Sequence, residues 1–293
     1  GATSIDGLSD ATVYNTTTIG LGSGALDSMS SGNGRNTAVG YNALTANTSG
    51  YNNTAVGHLA GTAITDGYQN SIFGDRAGTA LTTGDNNTAI GQHALKTSTT
   101  GENDTAIGFD ALQAKTTGNG RNVAVGAGAM YTTTTGYQNV SAGYNSMRAN
   151  TTGYMNVGIG NHALYDNTTG YENVGIGHNA GYANTTALAN TFVGAYAGTA
   201  TTTSGYNTFI GSSAGRANTT GLKNTSVGRN ALGSNTTGST NTSVGVNAGF
   251  SNTTATHNVC IGWEAGYSQA TGGSNTLIGT QAGRSLAGDG GAG

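Results

Sequence analysis

Apolar residues recur along this chain at a nearly constant distance, each directly before a glycine. At this regular spacing the pair has 16 copies, and 13 of the 15 intervals between their successive glycines are 17 residues, the other two being 18. A constant period of this length indicates a stacked array of structural repeats. The recurring residues, which we call landmark glycines, are Gly22, Gly40, Gly57, Gly74, Gly91, Gly108, Gly126, Gly143, Gly160, Gly177, Gly194, Gly211, Gly228, Gly245, Gly262 and Gly279.

The repeat unit has the form N-T-A-V-G-x-x-A-(L/G)-x-x-N-T-T-G-Y-x, seen between Asn36 and Asn52. Four residues before the landmark glycine there is Asn in 14 copies, with Thr18 and Asp104 as the exceptions. Two helices need about 30 residues or more, and Gly, Thr and Asn are poor helix formers. The T-A-V-G segment favours a short strand, and the N-T-T-G segment favours a turn.

Two short strands and two turns would close one coil of this length. The pattern therefore predicts an all-β fold, a parallel β-solenoid of about 16 coils in which neighbouring coils pair about 4.8 Å apart. We expect a lead-in or connector over residues 1–17, the solenoid array over 18–285 and a Gly-rich tail or junction over 286–293.

Both faces of the strand segment carry small or apolar residues, which predicts an oligomer. Strands that are apolar on both faces are buried on both faces. One column can fill the inside of the coil, whereas the other requires a partner chain, and small Ala there would permit close approach. The two columns begin with Ala38, Ala55, Ile72, Ala89 and Ala106, and with Val39, Val56, Phe73, Ile90 and Ile107.

The segment Asn36-Thr37-Ala38-Val39-Gly40-Tyr41-Asn42-Ala43-Leu44, followed by Asn47-Thr48-Ser49-Gly50, resembles known repeats. It is similar to the head repeats of trimeric autotransporter adhesins and, in its longer form, to repeats of bacteriophage tail-fibre (appendage) proteins. The resemblance covers about residues 18–285. It implies a homotrimer of left-handed parallel β-rolls, intertwined or side by side, that is extracellular, on a virion tail fibre or a bacterial surface, and attaches to host-surface glycans.

Composition excludes several other classes. The 293 residues include 52 Gly, no Pro and 8% charged residues, with a net charge of −3, so nothing indicates a basic surface for nucleic acid. The single Cys260 excludes a disulfide scaffold and a cysteine zinc site. No apolar run approaches about 18 residues, so we expect no membrane insertion.

Candidate catalytic groups are sparse, and we expect no enzyme, no cofactor and no metal site. His93 and Asp110 share a column in adjacent coils, which predicts a surface ion pair. The carboxylates do not recur at the period that a calcium-binding roll requires. The segment 158–163 and its copy at 175–180 match a loose dinucleotide-binding pattern, but the repeat itself generates both and no helix is predicted to follow.

Tyrosines near the predicted turn form the one candidate binding surface. With Asn and Thr around them, their aromatic faces suit a saccharide, so we interpret them as candidate glycan contacts. The alternative is that each Tyr covers its own loop and stacks on the next coil. The six candidates are Tyr51, Tyr68, Tyr137, Tyr154, Tyr171 and Tyr206.

Other solenoid functions remain as alternatives. An ice- or surface-binding solenoid would use a flat ladder of Thr, and one column does begin with Thr37 and Thr54. That column changes to Val from Val123 to Val174, which suggests partial burial, and returns to Thr at Thr191. A polysaccharide lyase and a subunit of a polymeric extracellular filament are further alternatives. Oligomeric state, glycan binding and thermal hysteresis would separate them.

Overall fold

A computed structural model describes residues 11–15, 17–29, 34–118 and 120–285. The chain divides into two compact units, Gly1–Asn145 and Ser146–Gly293. Throughout these described residues the secondary structure consists of strands and turns, without helices. Most of the predicted lead-in and the whole predicted tail lie outside the described residues, so their boundaries stay predictions.

The first unit contains short strands that pair in chain order. β1 pairs with β2 in antiparallel fashion, with Ala11 opposite Leu21. From β2 onward each strand pairs in parallel with the next, and Val39, for example, lies opposite Val56. The strands are β1 (Ala11–Asn15), β2 (Thr18–Leu21), β3 (Thr37–Val39), β4 (Thr54–Val56), β5 (Ser71–Phe73), β6 (Thr88–Ile90), β7 (Thr105–Ile107), β8 (Val123–Val125) and β9 (Val140–Ala142).

The second unit repeats the same parallel arrangement. Val157 lies opposite Val174, and the pairing continues at the 17-residue period to the last strand. The predicted all-β parallel solenoid is therefore confirmed, with about 15–16 turns of about 17 residues in the two units together. The strands are β10 (Val157–Ile159), β11 (Val174–Ile176), β12 (Thr191–Val193), β13 (Thr208–Ile210), β14 (Thr225–Val227), β15 (Thr242–Val244), β16 (Val259–Ile261) and β17 (Thr276–Ile278).

In the part of the chain that the structure describes, each coil has one regular strand, so the prediction of two strands per coil is wrong. The rest of the coil contains left-handed residues, such as Asn42 (φ 53°) and Leu44 (φ 51°), which interrupt an extended strand. The backbone still bonds from coil to coil, because the N–H of Asn42 donates to the Ser23 carbonyl and that of Leu44 to the Ala60 carbonyl. Hydrogen bonds between coils therefore continue around the turn without a second strand.

The landmark glycines form the corner after each strand, and two constraints require glycine there. Their φ angles lie between 123° at Gly279 and 140° at Gly57, a region that side chains disfavour. A Cβ atom on Gly74 would also lie 2.6 Å from the carbonyl oxygen of Gly91 in the next coil. Successive corners thus stack backbone on backbone, and this close contact keeps the coils at strand spacing.

The middle residue of each strand points inward and the residues on either side point outward. Ala38 and Ala55 are fully buried, whereas Ile90 remains 39% exposed. The prediction that the Ala column would face a partner chain is therefore wrong. Side chains alternate along a strand, and the Gly corner directs the middle residue into the coil, so the larger Val, Ile and Phe residues face outward.

Large and small residues compensate for each other inside the coils. Ala38 in the strand is combined with Leu44 four residues after the landmark glycine, whereas Phe192 is combined with Gly198 at the equivalent position. A Cβ atom on Gly198 would overlap the Phe192 ring. The inner volume is thus filled either from the strand or from the turn. Glycine in this left-handed position also avoids backbone strain.

Buried Asn side chains form a second continuous element, which we call the asparagine ladder. The N–H of Asn53 donates to Oδ1 of Asn36 at 2.8 Å, and Nδ2 of Asn53 donates to the Gly67 carbonyl at 2.7 Å. The same pair of bonds recurs in later coils and satisfies polar groups that would otherwise be buried without partners. The ladder comprises Asn36, Asn53, Asn70, Asn87, Asn122 and Asn139 in the first unit and Asn156, Asn173, Asn190, Asn207, Asn224, Asn241 and Asn258 in the second.

Candidate functional site

The outward side of the strands carries exposed apolar residues in each unit. We call the first and third residues of β3 to β17 the strand face. In the described residues it carries no charged side chain, and its Thr and Val residues alternate with a column of larger apolar ones. Val140 is 38% exposed, so the change from Thr to Val in the first column does not mark burial within the chain. The exposed large members are Phe73, Ile90, Val123, Val125, Val140, Ile159, Ile176, Ile210, Ile261 and Ile278.

The six candidate tyrosines lie at the surface, but they do not form one continuous ladder. Tyr51 and Tyr68 stack at 5.0 Å between ring centroids, and Tyr154 and Tyr171 stack at 4.8 Å. Tyr206, one position later in its turn, is 58% exposed. The stacking predicted as the alternative interpretation is thus present for these two pairs, while glycan contact by any of the six stays a prediction.

Acidic residues follow the first tyrosine pair and limit the aromatic surface. The next two coils carry Asp85 and Glu102 at the equivalent positions, before Tyr137 resumes the column. The backbone N–H of Tyr68 donates to Oδ1 of Asp85 at 2.8 Å. The side-chain hydrogen bond between Asp85 and Tyr68 raises the pKa of the tyrosine. The surface around this pair is therefore negatively charged.

A second aromatic column lies five residues after the landmark glycines, and sequence reasoning missed it. Tyr165 and Tyr182 stack at 5.0 Å with an interplanar angle of 2°. Phe250 and Tyr267 stack at 5.3 Å with an angle of 13°. The 17-residue spacing within each pair was visible in the sequence, and reading every position of the repeat as a column would have found both pairs.

Two His–Asp contacts connect neighbouring coils. The predicted contact between His93 and Asp110 is confirmed, with 3.1 Å between Nδ1 and Oδ1, although both side chains are less than one-fifth exposed. His58 and Asp75 form a shorter contact of 2.7 Å that was not predicted. The hydrogen bond from His58 holds the pKa of Asp75 below its usual value. Each pair links two coils, and a glutamine donates a further hydrogen bond to each carboxylate, Gln92 to Asp75 and Gln113 to Asp110.

Asp104 and Lys115 are buried charged residues whose environment the sequence did not predict. Oδ1 of Asp104 accepts from the backbone and side-chain nitrogens of Asn122, both at 3.0 Å, in place of a ladder asparagine. Lys115 is 0% exposed, and its Nζ donates to the carbonyls of Thr117 and Gly136. Burial raises the pKa of Asp104 to about 6, against the opposing effects of Asn122 and Lys115. Burial also lowers the pKa of Lys115.

Other candidate chemistry is limited. In the described part of the chain, no group of three or more His, Cys, Asp or Glu residues could hold a metal ion. Gly158 and Gly175, which create the dinucleotide-like patterns, instead leave room for the Met147 and Leu164 side chains. Burial raises the pKa of the Cys260 thiol to about 11. Within the same described residues, no helix is long and apolar enough to cross a membrane.

Comparisons with protein families, with curated proteins and with solved structures find no match to this chain.

Proposed function

We propose that this chain is a non-catalytic segment of an extracellular homotrimeric fibre, a shaft or head of the phage tail-fibre or surface-adhesin type. In this proposal the coils are left-handed β-rolls, and the fibre attaches to glycans on a host surface. The repeat sets the length of the fibre, and its strand face holds three chains together. The number of chains and the attachment role rest on the resemblance of the repeat unit.

The strand face is the observation that carries the proposal. Phe73 and Ile90 in the first unit and Ile159 and Ile176 in the second each expose more than one-third of their surface. Extended apolar surfaces of this kind mark interaction sites. Covering them with a partner would add the hydrophobic stabilisation that a coil built largely on Ala, Leu and Asn provides only in part.

A second copy of the same chain is the partner that fits this surface best. Within each unit the strand spacing repeats every coil, so the strand faces of two copies stay in register along that unit. The face carries no charge that a partner would have to neutralise. A stable interface needs about 800 Å² per partner, and two outward columns over seven or eight coils provide an area of that order.

Sedimentation velocity on the full chain at micromolar concentration tests the assembly. We expect a trimer for the wild type and a monomer for the Ile90→Lys/Ile107→Lys variant, because two adjacent lysines would be buried in the interface. Thr83→Lys/Thr100→Lys is the matched control, since it places the same charges one coil apart at exposed turn positions. A wild type that sediments as a monomer would overturn the fibre proposal.

A surface-binding solenoid is the second candidate, and the Thr column of the strand face favours it. Thr37 and Thr54 are half-exposed on adjacent strands, next to outward Val39 and Val56. Residues two apart on a strand are about 7 Å apart, and coils are about 4.8 Å apart, so hydroxyl and methyl groups form a regular array. Thermal hysteresis by a monomer, abolished by Thr54→Lys, would establish this function. The two candidates exclude each other because both require the strand face.

A further inference from the structure

An open groove lies on the surface of the second unit, away from the strand face. Its volume is about 590 Å³, within the range of sites for small ligands. Arg216, Asn230, Gly233 and Phe250 line it together with serine and threonine hydroxyls and two alanines, and we call it the Arg216 groove. The lining residues come from four successive coils, so the groove is a property of the stack rather than of one loop.

A missing side chain creates the groove. Gly233 stands in the aromatic column, one coil before Phe250, where Tyr165 and Tyr182 show how rings stack in neighbouring coils. Phe250 stacks on Tyr267 through one face, and its ring atoms lie 3.0–3.1 Å from the position of a Cβ on Gly233. The Phe250 ring therefore packs against the Gly233 backbone, and the coil of Gly233 contributes no aromatic side chain to the groove. A flat ligand ring bound in the groove would contact the part of Phe250 that lines it.

The groove also lies in a basic stretch of the chain. From residue 173 to residue 263 there is no acidic residue, and the charged residues are Arg216, Lys223 and Arg229. This stretch thus has a charge of +3, whereas the whole chain has −3. The exposed Arg216 guanidinium lies 5.9 Å from the ring centroid of Tyr196, and none of the three ion pairs found among the described residues involves it.

The polar groups that line the groove can form hydrogen bonds with a saccharide. Nδ2 of Asn230 donates to Oδ1 of Asn247 at 3.2 Å, which leaves Oδ1 of Asn230 as an acceptor for a hydroxyl group. Ser213 and Ser234 add hydroxyl groups to the lining. An apolar ring face, a few hydrogen-bonding groups and one cation are together suited to a sugar that carries a negative charge.

We propose that the Arg216 groove binds an acidic oligosaccharide, with one sugar ring against Phe250 and a carboxylate of the same oligosaccharide on Arg216. The ligand class rests on the proposed attachment function, but the groove requires no particular oligomeric state. Its residues lie two, five and six positions after the landmark glycines, whereas the strand face lies one and three positions before them. A trimer held by the strand face therefore uses none of the groove residues.

Calorimetric titration of the full chain with a galacturonate tetrasaccharide tests the proposal. We expect binding that is at least tenfold weaker for the neutral galactose tetrasaccharide, because that ligand lacks the carboxylate. Arg216→Gln should weaken binding of the acidic ligand at least tenfold. Lys223→Gln is the matched control for net charge, since Lys223 lies in the same basic stretch outside the groove, and it should change the affinity less than twofold.

A second variant tests the groove by adding a side chain to it instead of removing one. Gly233→Tyr would place a ring in the groove. The φ of Gly233 is not in the left-handed region, and the Phe250 ring atoms 3.0–3.1 Å from the new Cβ would have to shift by a few tenths of an ångström. We expect a variant that still folds and has completely lost binding. The binding proposal would be contradicted if Arg216→Gln and Lys223→Gln lowered the affinity equally, or if Gly233→Tyr still bound the tetrasaccharide. An intact trimer that does not bind the saccharide would contradict the binding proposal but not the fibre proposal. A monomer that binds it would contradict the fibre proposal but not the binding proposal.

Discussion

Asp104 and Lys115 occupy two inward positions of the same coil. In an earlier coil the equivalent positions, at the same separation along the chain, are Asn36 and Asn47. In that earlier coil, Nδ2 of Asn36 donates to Oδ1 of Asn47 at 3.4 Å. The later coil therefore replaces two neutral amides with one negative and one positive group. The net charge inside the coil is unchanged, but the ladder becomes sensitive to protonation.

The first prediction concerns the pH dependence that Asp104 causes. Its folded pKa of about 6 lies above the ordinary 3.8, so the folded chain binds this proton more tightly than the unfolded chain. The stabilising contribution is full below about pH 4 and is lost as the pH rises through about 6, a change of up to about 3 kcal/mol. We expect Asp104→Asn to remove this component, measured as the difference in urea midpoints between the two proteins from about pH 4 to 7.5. Parallel pH profiles would contradict the assignment.

The second prediction concerns the coupling between the two buried charges. Lys115→Asn removes the cation whose Coulomb interaction lowers the pKa of Asp104. At neutral pH this single change should destabilise the chain more than the double change Asp104→Asn/Lys115→Asn, which restores two amides. We expect a coupling free energy of about 1–3 kcal/mol in a double-mutant cycle. Additive effects would show that the two groups act independently.

The third prediction concerns the asparagine ladder. Asn70→Ala removes the acceptor for the N–H and Nδ2 of Asn87 and the donor to the Gly84 carbonyl. Each buried group left without a partner costs about 1–3 kcal/mol, so we expect a loss of about 2–4 kcal/mol in the free energy of unfolding. Thr83→Ala, at an exposed position in the turn that follows Asn70 along the chain, is the control and should change the free energy of unfolding by less than about 0.5 kcal/mol.

The fourth prediction separates backbone strain from coil stacking at the landmark glycines. Gly74→Ala imposes both, because φ is 139° and the new Cβ would meet the Gly91 carbonyl. Gly279→Ala imposes the strain alone, since among the described residues nothing lies within 4 Å of its Cβ position. Strain of this kind costs about 1–3 kcal/mol. We expect the Gly74 variant to have a clearly lower melting temperature than the Gly279 variant. Equal melting temperatures would show that contact between coils is not a reason for glycine at these positions.

The fifth prediction tests size compensation in the second unit. Phe192→Ala should destabilise by about 3–5 kcal/mol because it opens a cavity. Adding Gly198→Leu should recover part of that loss, since Ala in the strand would then be combined with Leu in the turn, as at Ala38 and Leu44. Gly198→Leu alone should destabilise, because the new side chain would overlap the Phe192 ring. Hydrogen exchange of the β12 amides would localise the effect.

The sequence predicts the fold well because a register of 17 residues follows directly from the repeat. Every parallel pair, such as Val39 with Val56, joins residues that the alignment of landmark glycines had placed in one column. Inward and outward faces were harder to assign, because Ala and Val are both apolar. Only the corner geometry at Gly40 decides which of Ala38 and Val39 points into the coil.

Burial and cavities that depend on several coils at once could not be found from the sequence. Burial of Lys115 requires neighbouring coils to supply the Gly136 carbonyl and to exclude solvent. A second strand is absent because left-handed residues such as Leu44 interrupt the extended backbone. Leucine rarely adopts a positive φ, so the sequence does not indicate this conformation. The Arg216 groove likewise depends on the coil that lacks a side chain at Gly233, beside a coil that carries Phe250.

Size compensation inside the coils also has a consequence for folding. Coils with the same backbone and the same ladder could pair one period out of register and keep every backbone hydrogen bond. The Phe192 ring reaches over the glycines of two coils, Gly181 and Gly198, so a shift by one coil would set it against a different neighbour. Core residues that differ from coil to coil therefore specify the pairing register, because each coil then packs well against only one neighbour.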